Sequence, residues 1–139
     1  MKDQVIVITG ASQGIGEKVA EVCIARGARV VLAARTAEPL VALAARLGDR
    51  ALAVPTDVAK REDNERLAAR ALEAFGRIDT WVANAGRGIS RPPSQLTDAD
   101  VDDMIATNFK SVLYGIQAVL PHFKQAKRGH VIAVSSMLG

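Results

Sequence analysis

Short apolar runs alternate with amphipathic stretches through this sequence, and the alternation is the feature that most restricts its fold. Residues 5–8 form a β-branched apolar run, and a glycine-rich turn separates them from apolar residues at helical spacing that stop at Gly27. Further strands are predicted at 30–34, 51–54, 80–83 and 130–134. Because parallel strands are joined by right-handed crossovers, we predict an α/β doubly wound parallel sheet in strand order 3-2-1-4-5.

Composition restricts the class of protein. The 139 residues are 49% apolar and 24% charged, the balance of one ordinary globular domain. The net charge is +3, and the charged residues are scattered along the sequence. We interpret the densest basic cluster as a solvated helix end; it consists of Lys124, Lys127 and Arg128. With 4% aromatic residues to stack on bases, we expect no nucleic-acid partner.

Cysteine and histidine usage argues against metal and disulfide chemistry. Cys23 is the only cysteine, which excludes an intrachain disulfide and favours a reducing cytoplasm. Neither His122 nor His130 lies in a metal or nucleophile constellation, so no metal is predicted. Apolar runs such as 30–34 fall far short of the ~20 residues that cross a bilayer, and the first residues resemble no secretion signal.

The loop after the first predicted strand is suited to a pyrophosphate. Gly10 permits a tight turn, Gly14 lets backbone approach a phosphate, and Gly16 allows close packing of the following helix. Amide hydrogens and the helix dipole both favour an anion there. Three residues separate the first two glycines, so the spacing differs from the usual dinucleotide fingerprint, and a turn without ligand is the alternative. The candidate cofactor-binding residues of this loop are Gly10, Ser12, Gln13, Gly14, Ile15 and Gly16.

Five motifs at predicted strand ends and in the last helix together resemble the short-chain dehydrogenase/reductase family. They are residues 9–16, Asp57 with Val58, the run Asn84-Ala85-Gly86, Asn108, and Ser135-Ser136 followed by Gly139. The resemblance implies a Rossmann-type fold, a nicotinamide dinucleotide cofactor and a small-molecule carbonyl or alcohol substrate. Thr97 with Asp100 has the spacing of a capping box and predicts the start of the longest helix, which ends before Gly129. The resemblance also implies a homo-oligomer, because this helix commonly mediates subunit contacts in the family.

The resemblance assigns further cofactor contacts after the third and fourth strands. Asp57 would contact the adenine with Val58 beside the ring, although Asp57 as a helix cap is the alternative. Asn84, Ala85 and Gly86 would lie along the cofactor, whereas Asn84 as a turn former is the alternative. The residue before Asn84 is alanine, where many relatives carry a second asparagine.

Arg35 bears on the choice of cofactor. It follows the second strand, where NAD-binding proteins place an acid that accepts bonds from the ribose hydroxyls. A guanidinium suits a 2'-phosphate instead, so we predict NADP, with NAD still possible. An exposed loop arginine without a ligand is the alternative.

The resemblance also assigns catalytic residues. Asn108 would hold a water of the proton relay, and Ser136 would polarise the substrate carbonyl by hydrogen bonding; a solvated asparagine and an ordinary strand-end hydroxyl are the alternatives. The family's acid/base pair, a tyrosine with a lysine four residues later, is expected beyond this sequence. Tyr114 has Ala118 at that spacing and is interpreted as packing.

We therefore expect residues 1–139 to be an incomplete dinucleotide-binding domain that ends at strand 5, with the C-terminal part of the fold missing. Such a fragment would be inactive alone, within an enzyme that transfers hydride between the nicotinamide and the substrate. A naturally short chain is the less favoured explanation. A non-catalytic dinucleotide-binding sensor or scaffold is the alternative function.

Overall fold

Five parallel strands form a single sheet in the computed structural model, which describes residues 1–136. The order β3-β2-β1-β4-β5 confirms the predicted topology, and every predicted strand lies within one residue of the observed one. The strands are β1 (Val5–Thr9), β2 (Arg29–Ala34), β3 (Ala51–Pro55), β4 (Thr80–Ala83) and β5 (His130–Ala133). The helices are α1 (Gly14–Ala25), α2 (Ala37–Leu47), α3 (Arg61–Phe75), α4 (Asp98–Ile105) and α5 (Ser111–Ala126), and a 3₁₀ turn covers Pro93–Gln95.

Helices cover the central strands on both faces, which explains their continuous apolar sequence. All five residues of β1 are buried. Because side chains alternate along a strand, Val5 and Val7 pack in the core shared with α3 and α5, while Ile6 and Ile8 pack in the core shared with α1 and α2. Trp81 of β4, only 1% exposed, is the largest fully buried side chain.

Local signals set several helix ends. Gly48 and Gly76 end α2 and α3 with positive φ angles of 93° and 74°, which glycine adopts without strain. Thr97 and Asp100 form a reciprocal capping box at the start of α4, as the sequence predicts.

The long helix predicted after Thr97 is interrupted. A π-helical segment, Ala106–Lys110, separates α4 from α5. Its Asn108 side chain hydrogen bonds to the backbone of Arg87, on a loop distant in sequence. The widened turn therefore coincides with a tertiary contact, which helical periodicity could not reveal.

Charged residues tie the amino end of the sheet together. The Asp79 carboxylate accepts a 2.8 Å hydrogen bond from the Val5 amide and a second from Arg77 Nε at 2.8 Å. Desolvation alone would raise the pKa of Asp79, but the bonds from Arg77 and Val5 outweigh it and hold the pKa below its ordinary value. Nearby, Arg50 donates to Asp3 at 2.8 Å.

The β3 edge of the sheet is blunted. Pro55 has no amide hydrogen, and its carbonyl oxygen accepts a 2.9 Å bond from Arg66 Nη2 of α3. A proline and a covering charged side chain are both known ways of discouraging an additional strand.

Candidate active site at the carboxyl edge of the sheet

The loop between β1 and α1 depends on glycine at three positions. Gly10 and Gly14 have φ angles of +63° and +60°. A Cβ atom on Gly10 would lie 2.8 Å from Ala85 Cα, and one on Gly16 would lie 2.3 Å from the Gly10 carbonyl oxygen. Nothing lies within 4 Å of a Cβ built on Gly14, so its backbone faces open space. The loop is thus closely packed on one side and accessible on the other.

Hydrogen bonds join this loop to the segment after β4. The Thr9 hydroxyl accepts the amide hydrogens of Asn84 and Ala85, each at 3.0 Å. The Asn84 side-chain amide donates to the carbonyl oxygens of Thr9 and Gly10 at 3.1 and 3.2 Å. Asn84 therefore joins the two loops by hydrogen bonds, and this role is more specific than that of a turn former.

The first turn of α1 offers donors to a ligand. Gln13 occupies the N-cap position, and no side chain of residues 1–136 caps the helix there. The first amides of a helix have no intrahelical acceptor, and the helix dipole favours an anion beside them. This helix start therefore fits a phosphate group.

A cavity of about 410 Å³ opens beside the glycine loop, at the carboxyl ends of β1 to β4. In open α/β sheets, ligands bind at this edge, where the winding of the chain reverses. Seven predicted cofactor-binding residues line the cavity: Gly10, Ser12, Gln13, Arg35, Val58, Ala85 and Gly86. Six further lining residues were not among the predicted cofactor contacts: Ala34, Thr36, Pro39, Thr56, Arg87 and Thr107. Most of these six adjoin predicted residues at the same strand ends, and this position was the available signal.

The other predicted cofactor contacts lie outside the cavity lining. Asn84 hydrogen bonds to the loop, and Gly16 packs closely against Gly10. Gly14 belongs to the open turn of the loop, and the Ile15 side chain is 64% exposed. Asp57 organises the turn before α3, because its Oδ1 accepts the Ala59 amide hydrogen at 3.1 Å. The N-cap of α3 is Lys60, so Asp57 does not occupy the position of a helix cap.

Arg35 differs in its ion pairing from Arg87, which lines the same cavity. It is exposed on the rim of the cavity, and no ion pair of Arg35 is found among residues 1–136. Arg87, on the opposite wall, pairs with Asp103 at 2.9 Å. Arg35 thus offers a guanidinium that no neighbouring carboxylate neutralises.

The two predicted catalytic residues lie at the same edge but do not line the cavity. The Asn108 side chain donates to the Arg87 carbonyl oxygen and accepts from the Arg87 amide, both at 2.7 Å. Ser136 is exposed just after β5, while Gly139 of its motif lies outside the described residues. Tyr114 packs beneath the Arg61 guanidinium at 4.5 Å, away from the site, in keeping with its interpretation as a packing residue.

The family model described as short chain dehydrogenase matches residues 4–139. The chain belongs to this family. It is 44% identical to an uncharacterized oxidoreductase of Listeria innocua and 43% identical to one of Bacillus subtilis. Both alignments cover the whole chain but 57% and 40% of the relatives, so the chain spans about half the length of the proteins it matches.

Solved short-chain dehydrogenase structures share the fold. A 3-ketoacyl-(acyl-carrier-protein) reductase from Brucella melitensis, complexed with NADH, superposes with a TM-score of 0.93 at 31% identity, over 97% of this chain and 58% of that one. A metagenomic short-chain oxidoreductase in complex with NADP gives 0.90 at 38% identity, over 99% and 64%. An alcohol dehydrogenase from Thermococcus sibiricus, complexed with 5-hydroxy-NADP, gives 0.89 at 32% identity, over 97% and 59%.

Within residues 1–136, every helix is too short or too polar to traverse a bilayer.

Proposed function

We propose that this short-chain dehydrogenase chain binds NADP(H) in the cavity beside the glycine loop. One observation carries the proposal: the start of α1 and Arg35 flank the same cavity, and within residues 1–136 the first has no side-chain cap and the second no ion pair. A dinucleotide carries a pyrophosphate that suits the first and, in NADP, a 2'-phosphate that suits the second.

The preference for NADP over NAD rests on Arg35. The structural relatives were solved with NADP, 5-hydroxy-NADP or NADH, so they support a nicotinamide dinucleotide without selecting one. At the end of β2, a guanidinium would attract a phosphate, whereas a ribose with free hydroxyls is better served by an acid.

Titration with NADPH and NADH tests this preference. In the wild-type protein we expect NADPH to bind at least tenfold more tightly, roughly the effect of one charge-assisted hydrogen bond. Arg35→Ala should remove that difference and leave NADH affinity unchanged, whereas Arg26→Ala, on the exposed end of α1, should alter neither. Equal binding of both cofactors by the wild type, or an unchanged preference in Arg35→Ala, would disprove the assignment.

We further propose that the whole protein reduces a carbonyl or oxidises an alcohol. When bound, the nicotinamide supplies or accepts the hydride. The Ser136 hydroxyl would donate a hydrogen bond to the substrate oxygen and polarise its bond to carbon. Asn108 would fix the loop through Arg87 and retain one amide hydrogen and one oxygen lone pair with which to hold a water.

The acid/base step needs a group that we place beyond Gly139, a tyrosine with a lysine four residues later. This chain alone would then bind cofactor without turnover. The test is an assay of the whole protein with NADPH deuterated at C4 and a panel of ketones and aldehydes. Deuterium on the product carbinol carbon supports the proposal. Tight cofactor binding without transfer to any of them, in a protein lacking the tyrosine and lysine, would favour the sensor or scaffold.

We propose, finally, that the protein is a homo-oligomer through the α4 and α5 helices. Exposed apolar side chains recur along them: Val101, Ile105, Phe109, Leu113 and Leu120. Phe109 is 68% exposed, and such a patch is typical of a subunit contact. Analytical ultracentrifugation of the whole protein should give a dimer or tetramer that Phe109→Asp dissociates. A monomeric wild type would refute the proposal.

A further inference from the structure

Asn64, in the first turn of α3, is a buried polar residue that the sequence analysis did not identify. Its side chain is 0% exposed. Its Nδ2 donates two hydrogen bonds of 2.9 Å, one to the Val58 carbonyl oxygen and one to the Lys60 carbonyl oxygen. Its Oδ1 has no hydrogen-bond partner among residues 1–136.

This arrangement carries a penalty that an apolar residue would avoid. A buried carbonyl oxygen without a partner loses its hydration and gains nothing in return. Flipping the amide would not help, because it would set Oδ1 against two carbonyl oxygens. Leucine has a similar size and would leave no orphaned side-chain atom, but the Val58 carbonyl oxygen would lose its donor. The two donated bonds are thus the property that distinguishes asparagine at this position.

Both bonds act on the segment between β3 and α3, which forms one wall of the cavity. Val58 and Thr56 line the cavity, and Val58 is 6% exposed. The same helical turn holds the segment a second time, because Asp63 Oδ2 accepts the Asp57 amide at 2.8 Å. The first turn of α3 therefore fixes the position of Val58 in the cavity wall.

We propose that Asn64 is a positioning residue for the adenosine half of the cofactor, acting through Val58. The inference rests on the proposed cofactor site. Removing the donors frees the Val58 carbonyl and lets the wall move, which weakens binding of the adenosine half. Folding stability falls by less than the loss of two hydrogen bonds implies, because the same change removes the orphaned oxygen.

The test compares Asn64→Leu with Glu65→Leu, which adds the same side chain at the neighbouring exposed position of α3. The dissociation constants of NADPH, adenosine 2',5'-bisphosphate and reduced nicotinamide mononucleotide are measured with the thermal midpoint. For Asn64→Leu, the first two constants should rise together by about fivefold to tenfold, the loss expected of one or two hydrogen bonds. The third constant should not change, and any fall in the midpoint should be small. Glu65→Leu should match the wild type throughout.

The outcomes separate this inference from the proposed function. A wild type that binds none of the three nucleotides would overturn both. A wild type that binds them, with Asn64→Leu equally tight, would overturn the role of Asn64 alone. A weaker Asn64→Leu that loses affinity for both halves of the cofactor alike would show a purely structural role and also overturn it. If Asn64→Leu does not fold, Asn64→Ser, whose hydroxyl is too short to make both bonds, replaces it under the same criteria.

Discussion

The two ends of the sheet use polar groups differently. At the amino end, Asp79 is satisfied by the Val5 amide and Arg77, and Asp3 by Arg50. At the carboxyl end, α1 starts without a side-chain cap and Arg35 has no ion pair within residues 1–136. The polar groups named at the first end stabilise the fold, while the start of α1 and Arg35 at the second end remain available to a ligand.

The comparison implies that stability and binding can be altered separately. Marginal stability leaves little margin for unpaired groups, so a fold retains them mainly where a ligand completes them. Substitutions at the amino end should therefore change unfolding without changing cofactor affinity. The glycine loop is the exception, because close packing and ligand access meet in it.

The largest expected effect is that of Gly16→Ala, which should change stability and cofactor binding together. Its Cβ would lie 2.3 Å from the Gly10 carbonyl oxygen and 2.7 Å from Asn84 Nδ2, so the loop has to move. We expect a loss of about 1–3 kcal/mol in the free energy of unfolding, typical of overpacking. NADPH affinity should fall by roughly a hundredfold, because the misplaced amides lose two or more phosphate hydrogen bonds.

Urea denaturation and NADPH titration measure both effects of Gly16→Ala. Gly88→Ala is the matched control, since Gly88 has no positive φ and nothing lies within 4 Å of a Cβ built on its backbone. Its stability should stay within about 0.5 kcal/mol of the wild type. Wild-type affinity in Gly16→Ala would show that the loop is not the phosphate site.

Asp79→Asn tests, at the amino end of the sheet, whether stability can change without a change in cofactor binding. The side chain is 9% exposed, and the substitution keeps its shape while removing the charge that Arg77 and the Val5 amide share. We expect a loss of about 1–2 kcal/mol in unfolding free energy, from weakened charge-assisted hydrogen bonds. The dissociation constant of NADPH, measured by fluorescence, should stay the same. A change in that constant as large as the change in stability would contradict the comparison.

The smallest expected effect is a change in the stability contributed by Asp79 at acidic pH. The folded-state pKa of Asp79 lies below its ordinary 3.8, so its contribution to stability is complete above that value and is lost as pH falls through the folded pKa. The stability difference between wild type and Asp79→Asn should therefore be constant near neutral pH and shrink below about pH 3.8. Urea melts at a series of pH values test this. A difference that grows on acidification would reverse the sign and refute the assignment.

Local signals made the framework predictable, whereas long-range contacts did not. The strands follow from apolar runs, and the helix ends at Gly48 and Gly76 follow from backbone conformations that glycine favours. The π-helical segment coincides with the pairing of Asn108 with Arg87, 21 residues away in sequence. No periodicity encodes such a contact, because it requires two segments to meet in the folded chain.

The candidate site shows the same division. Position at strand ends predicted at which edge the site lies, while the glycine loop, Arg35 and the family resemblance supplied seven of its lining residues. The direction of a side chain was not predictable: Asp57 bonds to its own turn. Asn64 was missed because a single asparagine within a helical pattern resembles a solvated one until its burial is known.

The blunted edge at Pro55 also restricts how copies of this protein could polymerise. A sheet that recruits strands along both borders can grow into an endless fibre, because each added copy presents a fresh border. Here Pro55 lacks an amide hydrogen and Arg66 occupies its carbonyl oxygen, so the β3 border is a poor template for a strand of another copy. Growth of a fibre from this border is therefore discouraged.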